Sequence, residues 1–256
     1  MSDFEILTIP VLNDNYVHLI HDADTGATAC IDPAIAPPVI KAAHDKGWTI
    51  SHILITHPHG DHTDGVPEIV AAFGAQVYGS YDDVGAIPKC NYGVGKGDKI
   101  EVGTLTCDVF EVPGHTAHHI AYYFEGATAL FPGDTLFSLG CGRLFGGTAA
   151  QMWSSLKKLR ALPGDTLVYC AHEYTNANAD FALSVDPQNQ DLIARADEVV
   201  QRREQGLATV PSVLENELRC NPFLRCDVAS FQNTLGLAGQ DATQVFAELR
   251  RQKDHF

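Results

Sequence analysis

Positive charge is scarce in this chain: 17 Lys and Arg stand against 32 Asp and Glu in 256 residues, a formal charge of −15. A nucleic-acid partner needs a basic face for its phosphates, so that class is excluded. An anionic substrate would need a local basic pocket working against the global field. Long apolar runs are also lacking. None approaches the roughly 20 residues of a membrane span, so no membrane partner is expected. The start, Met1-Ser2-Asp3-Phe4-Glu5, has no basic stretch leading into an apolar one, and no signal peptide is expected. The 7 cysteines are scattered, odd in number and without a C-x-x-C pair. Free thiols in a reducing cytoplasm account for them better than a disulfide framework. Trp48 and Trp153 lack the aromatic or basic company of a nucleotide-stacking site. Internal repeats and low-complexity segments are missing. What remains is an ordinary globular composition, 45% hydrophobic and 19% charged, long enough for one large domain or two.

Histidine is where the chemistry concentrates. Thr56-His57-Pro58-His59-Gly60-Asp61-His62 places three imidazoles and a carboxylate in six consecutive positions. Neutral imidazole and carboxylate are ligands that borderline divalent metals prefer. Ser51–Thr56 is a β-branched apolar run and reads as a buried strand. His57 and His59 leave its end two apart, so in extended chain they point to one side. Pro58 biases His57 toward extended geometry, and Gly60 permits a turn that brings Asp61 and His62 around. Two pairs of donors suggest two adjacent metals rather than one.

The rest of the chain divides by texture. Up to about residue 172, β-type runs alternate with helical stretches. Strands are expected at 4–9, 17–21, 28–31, 51–56, 76–79, 99–102, 105–112, 120–124, 129–131 and 167–170. Helices are expected at 37–46, 66–73 and 149–159. Many strands with few helices suggest two sheets with helices outside. From about Thr175 the β signal fades, and helices are expected at 178–184, 188–205, 212–219 and 242–250.

Three further donors stand at strand ends: His115 after Val112-Pro113-Gly114, Asp134 after Pro132-Gly133, and His172 after Cys170-Ala171. Each alone has an ordinary structural explanation, a turn, a cap or a satisfied histidine. With the first cluster they make a set of seven. The remaining His18, His21, His44, His52 and His255 have no such company and read as structural. Cys141 sits in a Gly-Cys-Gly turn and reads as packing.

In this order, T-H-x-H-x-D-H, G-H-T, G-D-T and a strand-end His resemble the metallo-β-lactamase superfamily. The resemblance implies an α/β (α+β) fold, an αββα sandwich with the site at one edge. It also implies two divalent ions. One would take His57, His59 and His115, the other Asp61, His62 and His172, with Asp134 bridging. Asp61 and Asp134 would be the catalytic carboxylates, Asp61 also orienting the attacking hydroxide. Zinc is the first expectation, with iron and manganese as alternatives.

The tail is similar to that of the hydroxyacylglutathione hydrolase (glyoxalase II) family. The segments that carry this are Asn13-Asp14-Asn15-Tyr16, Cys141-Gly142-Arg143-Leu144-Phe145, His172-Glu173-Tyr174-Thr175-Asn176, Asn221-Pro222-Phe223-Leu224-Arg225 and Arg250-Arg251-Gln252-Lys253-Asp254. The resemblance implies a catalytic domain over 1–172 and a helical substrate-binding domain over 173–256. It assigns glutathione contacts to Arg143, Tyr174, Arg250 and Lys253. The implied reaction is hydrolysis of S-D-lactoylglutathione to D-lactate and glutathione, a step of methylglyoxal detoxification, by a cytoplasmic monomer. Glutathione carries two carboxylates, and a chain so poor in cations places Arg250, Arg251 and Lys253 within four residues. Two departures stand out: Phe145 where relatives often have Tyr, and His118 where Gly is more usual. The alternative is a mononuclear-iron persulfide dioxygenase on the same scaffold, against which the cationic tail weighs.

Overall fold

The computed structural model describes residues 3–256; Met1 and Ser2, the first residues of the stretch read above for a signal peptide, lie outside the described residues. The chain divides into two compact units, one formed by the chain up to Glu111 with His118–Gly133, the other by Val112–Ala117 with Asp134–Phe256.

The first unit holds β1 (Phe4–Val11), β2 (Asn15–Asp22), β3 (Ala27–Ile31), α1 (Ala36–Lys46), β4 (Thr49–Leu54), α2 (Gly60–Thr63), α3 (Val66–Phe73), β5 (Gln76–Ser80), β6 (Tyr92–Val94), β7 (Lys99–Val102), β8 (Leu105–Glu111), β9 (Ile120–Phe124) and β10 (Ala129–Phe131). One sheet runs in sequence order from β1 to β6. Its first two pairings are antiparallel and the next three parallel. The parallel steps need crossovers, which α1 supplies between β3 and β4 and α3 between β4 and β5, with residues 81–91 making the third. Both helices stop at a left-handed glycine, Gly47 and Gly74. Val39, Ala43, Val66 and Ile69 of these helices join Ile50, Ile53 and Val77 in one apolar core. Each fully buried Ile or Val there contributes roughly 1.5–3 kcal/mol of burial. The other strands of the unit pair antiparallel in the order β10, β9, β8, β7. Phe131 packs on His18 at 5.6 Å, and Tyr122 donates to the Ile55 carbonyl at 2.8 Å. The two sheets of this unit thus meet face to face.

The second unit holds β11 (Leu136–Phe137), β12 (Gly140–Cys141), α4 (Ala149–Leu159), β13 (Leu167–Val168), α5 (Thr175–Val185), α6 (Gln190–Glu204), β14 (Ser212–Val213), α7 (Leu214–Cys220), α8 (Ala229–Thr234) and α9 (Ala242–Asp254). Thr148 and Gln151 close a reciprocal capping box on α4. Phe223 packs between Phe181 at 5.9 Å and Phe246 at 5.8 Å, joining the tail helices through aromatic contact. The tail is not purely helical. Ser212 and Val213 pair with Val168 and Leu167, so the helix expected from 212 begins only at Leu214. Among the described residues, no helix is long and apolar enough to cross a membrane.

Candidate metal centre

The first unit positions its donors at the end of β4. Regular pairing stops at Leu54, yet Ile55 N still donates to Tyr78 O and Ile120 N to Thr56 O, keeping the chain extended into His57. His57 Nε2 and His59 Nδ1 then stand 3.0 Å apart, on one side as the two-residue spacing requires. Gly60–Thr63 makes a single helical turn. It returns His62 to His57 with ring centroids 4.1 Å apart, while Asp61 Oδ2 lies 3.7 Å from His62 Nε2.

A buried carboxylate selects the nitrogens. Asp32 accepts from Thr56 N at 2.8 Å, from Thr56 Oγ1 at 2.7 Å and from His62 Nδ1 at 3.0 Å. Because the Thr56 hydroxyl proton goes to Asp32, its oxygen accepts from His57 Nδ1 at 3.0 Å. Both histidines therefore carry the proton on Nδ1 and turn Nε2 away as a lone pair, the form a metal takes. Asn15 donates to the Asp61 carbonyl and to Asp61 Oδ2 at 3.1 and 3.2 Å, setting that carboxylate. His119 stacks on His57 at 4.7 Å. Gly133 sits at φ 51, and a Cβ there would strike the Thr56 side chain. Asp32 and His119 carry no sequence signal, because each acts through a partner distant in sequence; Thr56 is read from the motif only as its leading residue, not as the hydroxyl that sets His57.

The second unit positions the rest. The Asp134 carboxylate offers Oδ2 to His115 Nε2 and Oδ1 to His172 Nε2, each at 3.4 Å. All three side chains are buried. A hydrogen bond would draw nitrogen and oxygen to about 2.9 Å. Two donors that share a tetrahedral ion at 2.0–2.1 Å stand about 3.3–3.4 Å apart. One carboxylate oxygen toward each imidazole therefore fits a bridging ligand between two ions. His115 Nδ1 donates to the Arg143 carbonyl at 2.9 Å, again leaving Nε2 as the lone pair. Tyr174 stacks on His172, centroids 4.7 Å apart and planes within 4°.

The same unit holds all four residues expected to meet glutathione. Arg143 is exposed, its guanidinium 3.9 Å from Asp254. Lys253 is half-buried, donates to Ala177 O at 2.7 Å and lies 5.3 Å from the Phe181 ring centre. Burial lowers its pKa, and the neighbouring Arg250 lowers it further. Arg250 is the buried member of the set. It is only 5% exposed, donates to Cys141 O at 3.0 Å and to Asp254, and covers Phe223 at 5.2 Å. Its charge thus lies behind the surface that Arg143 and Lys253 present.

The departures also find places. His118 pairs with Asp82 at 3.3 Å on the surface of the first unit. Phe145 is 68% exposed and meets His115 edge-on at 5.3 Å. Cys141 is buried beside Arg250, and burial pushes its thiol up to about 11, consistent with packing.

Comparison with known proteins gives the same picture. Residues 14–172 match the model of the metallo-beta-lactamase superfamily, and residues 173–256 that of the hydroxyacylglutathione hydrolase C-terminus. A hydroxyacylglutathione hydrolase of Rhodospirillum rubrum is 53% identical over 256 residues, covering 100% of each chain. One of Methylococcus capsulatus is 51% identical over 252 residues, 98% of each. Among solved structures, ETHE1 from Myxococcus xanthus superposes with a TM-score of 0.69 at 25% identity, over 97% of this chain and 90% of that one. The BLEG-1 B3 metallo-beta-lactamase shares the fold at a TM-score of 0.68 and 22% identity, over 86% of this chain and 99% of its own. With two sheets, their helices and a C-terminal helical domain, the chain belongs to the hydroxyacylglutathione hydrolases of the metallo-β-lactamase superfamily.

Proposed function

We propose that this chain hydrolyses S-(2-hydroxyacyl)glutathione thioesters, S-D-lactoylglutathione among them, to the 2-hydroxy acid and glutathione, and so serves methylglyoxal detoxification. Full-length relatives named for this activity carry the assignment. The single structural observation behind the chemistry is the Asp134 carboxylate with one oxygen toward each of two imidazoles.

His57, His59 and His115 would hold one divalent ion, Asp61, His62 and His172 a second, and Asp134 would bridge them. Zinc is the first candidate, with iron and manganese as alternatives that a set of imidazoles and carboxylates also suits. Bound there, such ions would supply water activated at neutral pH and Lewis acidity toward the thioester carbonyl. The protein's own groups do the rest. Asp61, held by Asn15 and 43% exposed, orients the attacking water. Attack at the carbonyl carbon breaks the C–S bond, and the sulfur departs as thiolate. A thiol of pKa about 8.5 leaves readily near neutrality, so no dedicated general acid is required.

The glutathione carboxylates go to Arg143 and Lys253, with Arg250 behind them fixing position and adding to the local potential. Tyr174 adds an amphipathic edge beside His172. Phe145 lacks the hydroxyl that a Tyr would bring there. Residues 1–172 serve as the catalytic domain and 173–256 as the substrate-binding domain, a division supported by the two family models meeting there. Seven cysteines with no disulfide among the described residues support a cytoplasmic setting, and the chain works as a monomer.

The test is thiol release from S-D-lactoylglutathione by purified protein, with elemental analysis of the same sample. Turnover with two equivalents of metal is expected. Oxygen consumption with one iron per chain, and no thioester cleavage, would replace this function with the dioxygenase alternative.

A further inference from the structure

The hairpin β11–β12 follows Asp134 directly and leads into Gly142 and Arg143. Each strand has only two residues, too little for a hairpin to hold its own shape. Its turn is also strained. Leu139 sits at φ 57, a left-handed conformation that costs a branched side chain roughly 1–2 kcal/mol. Ser138 and Leu139 are both buried, so water does not serve their backbone. Something else must hold the turn.

Side chains of the helical tail do so. Glu217 on α7 is 1% exposed. Its Oε1 accepts from Ser138 Oγ at 3.0 Å and its Oε2 from Leu139 N at 2.8 Å. Asn221 Nδ2 donates to Phe137 O at 3.1 Å, to Gly140 O at 3.0 Å and to Glu217 Oε2 at 3.1 Å. Asn178 donates to Ser138 O at 3.1 Å. At the far end of the hairpin, Cys141 O takes Arg250. Burying a carboxylate costs several kcal/mol unless its hydrogen bonds are made. Burial accordingly pushes the Glu217 pKa up, while these donors oppose it.

The hairpin reaches two metal-donor residues. Gly142 lies so close to Asp134 that a Cβ would collide with its carbonyl oxygen. The Arg143 carbonyl, one residue further, orients His115 through Nδ1. A shift of the turn therefore moves the bridging carboxylate and rotates an imidazole together.

We propose that Glu217, assisted by Asn221, is a positioning residue for the metal centre: by gripping the turn at Ser138–Leu139 it sets Asp134 and the Arg143 carbonyl, and through the latter His115. This rests on the two-metal function proposed above. Such supporting contacts typically govern metal affinity by about 10–100-fold.

Glu217→Ala, Glu217→Gln and Ser138→Ala would be compared with the full-length parent by circular dichroism, thermal melting and zinc competition against a chelator. Glu217→Ala is expected to lose at least tenfold in zinc affinity while folded. Glu217→Gln keeps an acceptor for Leu139 N and should recover most of that loss. Ser138→Ala removes one hydroxyl and should weaken zinc binding by a smaller factor; it also carries the test if Glu217→Ala does not fold. A lowered melting temperature with parental zinc affinity in every folded variant would overturn the proposal and leave Glu217 a stabilising residue only. A parent chain that binds none of zinc, iron and manganese would instead overturn the two-metal function, and the positioning role with it.

Discussion

His62 Nδ1 stands 3.0 Å from Asp32 Oδ2, and this pairing decides which imidazole nitrogen remains for a metal. Asp32 itself sits at φ 48, a left-handed conformation that Asp tolerates better than most residues. Three donors converge on it, which repays that strain. Asp32→Ala should leave Thr56 and His62 without their acceptor and let both rings choose another tautomer. Zinc affinity is expected to fall about 10–100-fold in a chelator competition. Parental affinity in a folded variant would show that Asp32 does not orient His62.

His59 is half-buried and has less packing to lose than His57 or His62. His59→Ala should lower thioester hydrolysis by orders of magnitude and reduce bound metal, with little change in melting temperature. Unchanged turnover would remove His59 from the metal set.

Lys253, proposed above to meet a glutathione carboxylate, would give that contact a pH dependence. Burial first, then Arg250, lowers its pKa from 10.5. The folded value lies below the unfolded one, so the unfolded chain holds more protons in the interval between them. Stability therefore rises with pH through that window. Substrate binding runs the other way, because the cation is lost there. KM for an anionic thioester should climb on the alkaline side before an ordinary lysine would titrate. Lys253→Arg stays charged and should flatten that rise. Identical alkaline KM profiles for parent and variant would exclude Lys253 from substrate contact.

Arg160 holds Asp227 through Nη1 at 2.8 Å and also reaches Leu224 O at 2.8 Å. The guanidinium hydrogen bond lowers the Asp227 pKa against a smaller opposing effect of burial. A depressed carboxylate stabilises the fold above its unfolded value, and that contribution disappears as pH falls through the folded one. Asp227 is 40% exposed, so screening limits the effect to about 0.5–1 kcal/mol. Asp227→Asn should lower Tm by about 1–4 °C at neutral pH. The difference should close in strong acid; a gap that persists there would point to packing rather than charge.

Much of the site was legible because its donors are contiguous or stand at strand ends. His57, His59, Asp61 and His62 announce themselves within one turn of chain, and a strand followed by Pro-Gly and a donor marks His115 and Asp134. The two-sheet pattern was legible through β-branched alternation. The two-residue strands β11, β12 and β14 carry no periodicity and were invisible, as was the one-turn helix Gly60–Thr63. Arg250 was readable as a cation but not as a buried one, since burial depends on Cys141 and Phe223 far away in sequence.

By itself the sequence determined the kind of donor, the order of the motifs and the presence of a cationic helix in an acidic chain. Each of these is a local property, set by residue type and spacing. Tertiary structure decided which nitrogen each histidine turns outward, that Asp134 faces two imidazoles, and that a buried glutamate grips the turn beside it. Those depend on contacts between residues 19 to 79 positions apart, from His115 with Asp134 to Ser138 with Glu217, which no spacing rule encodes.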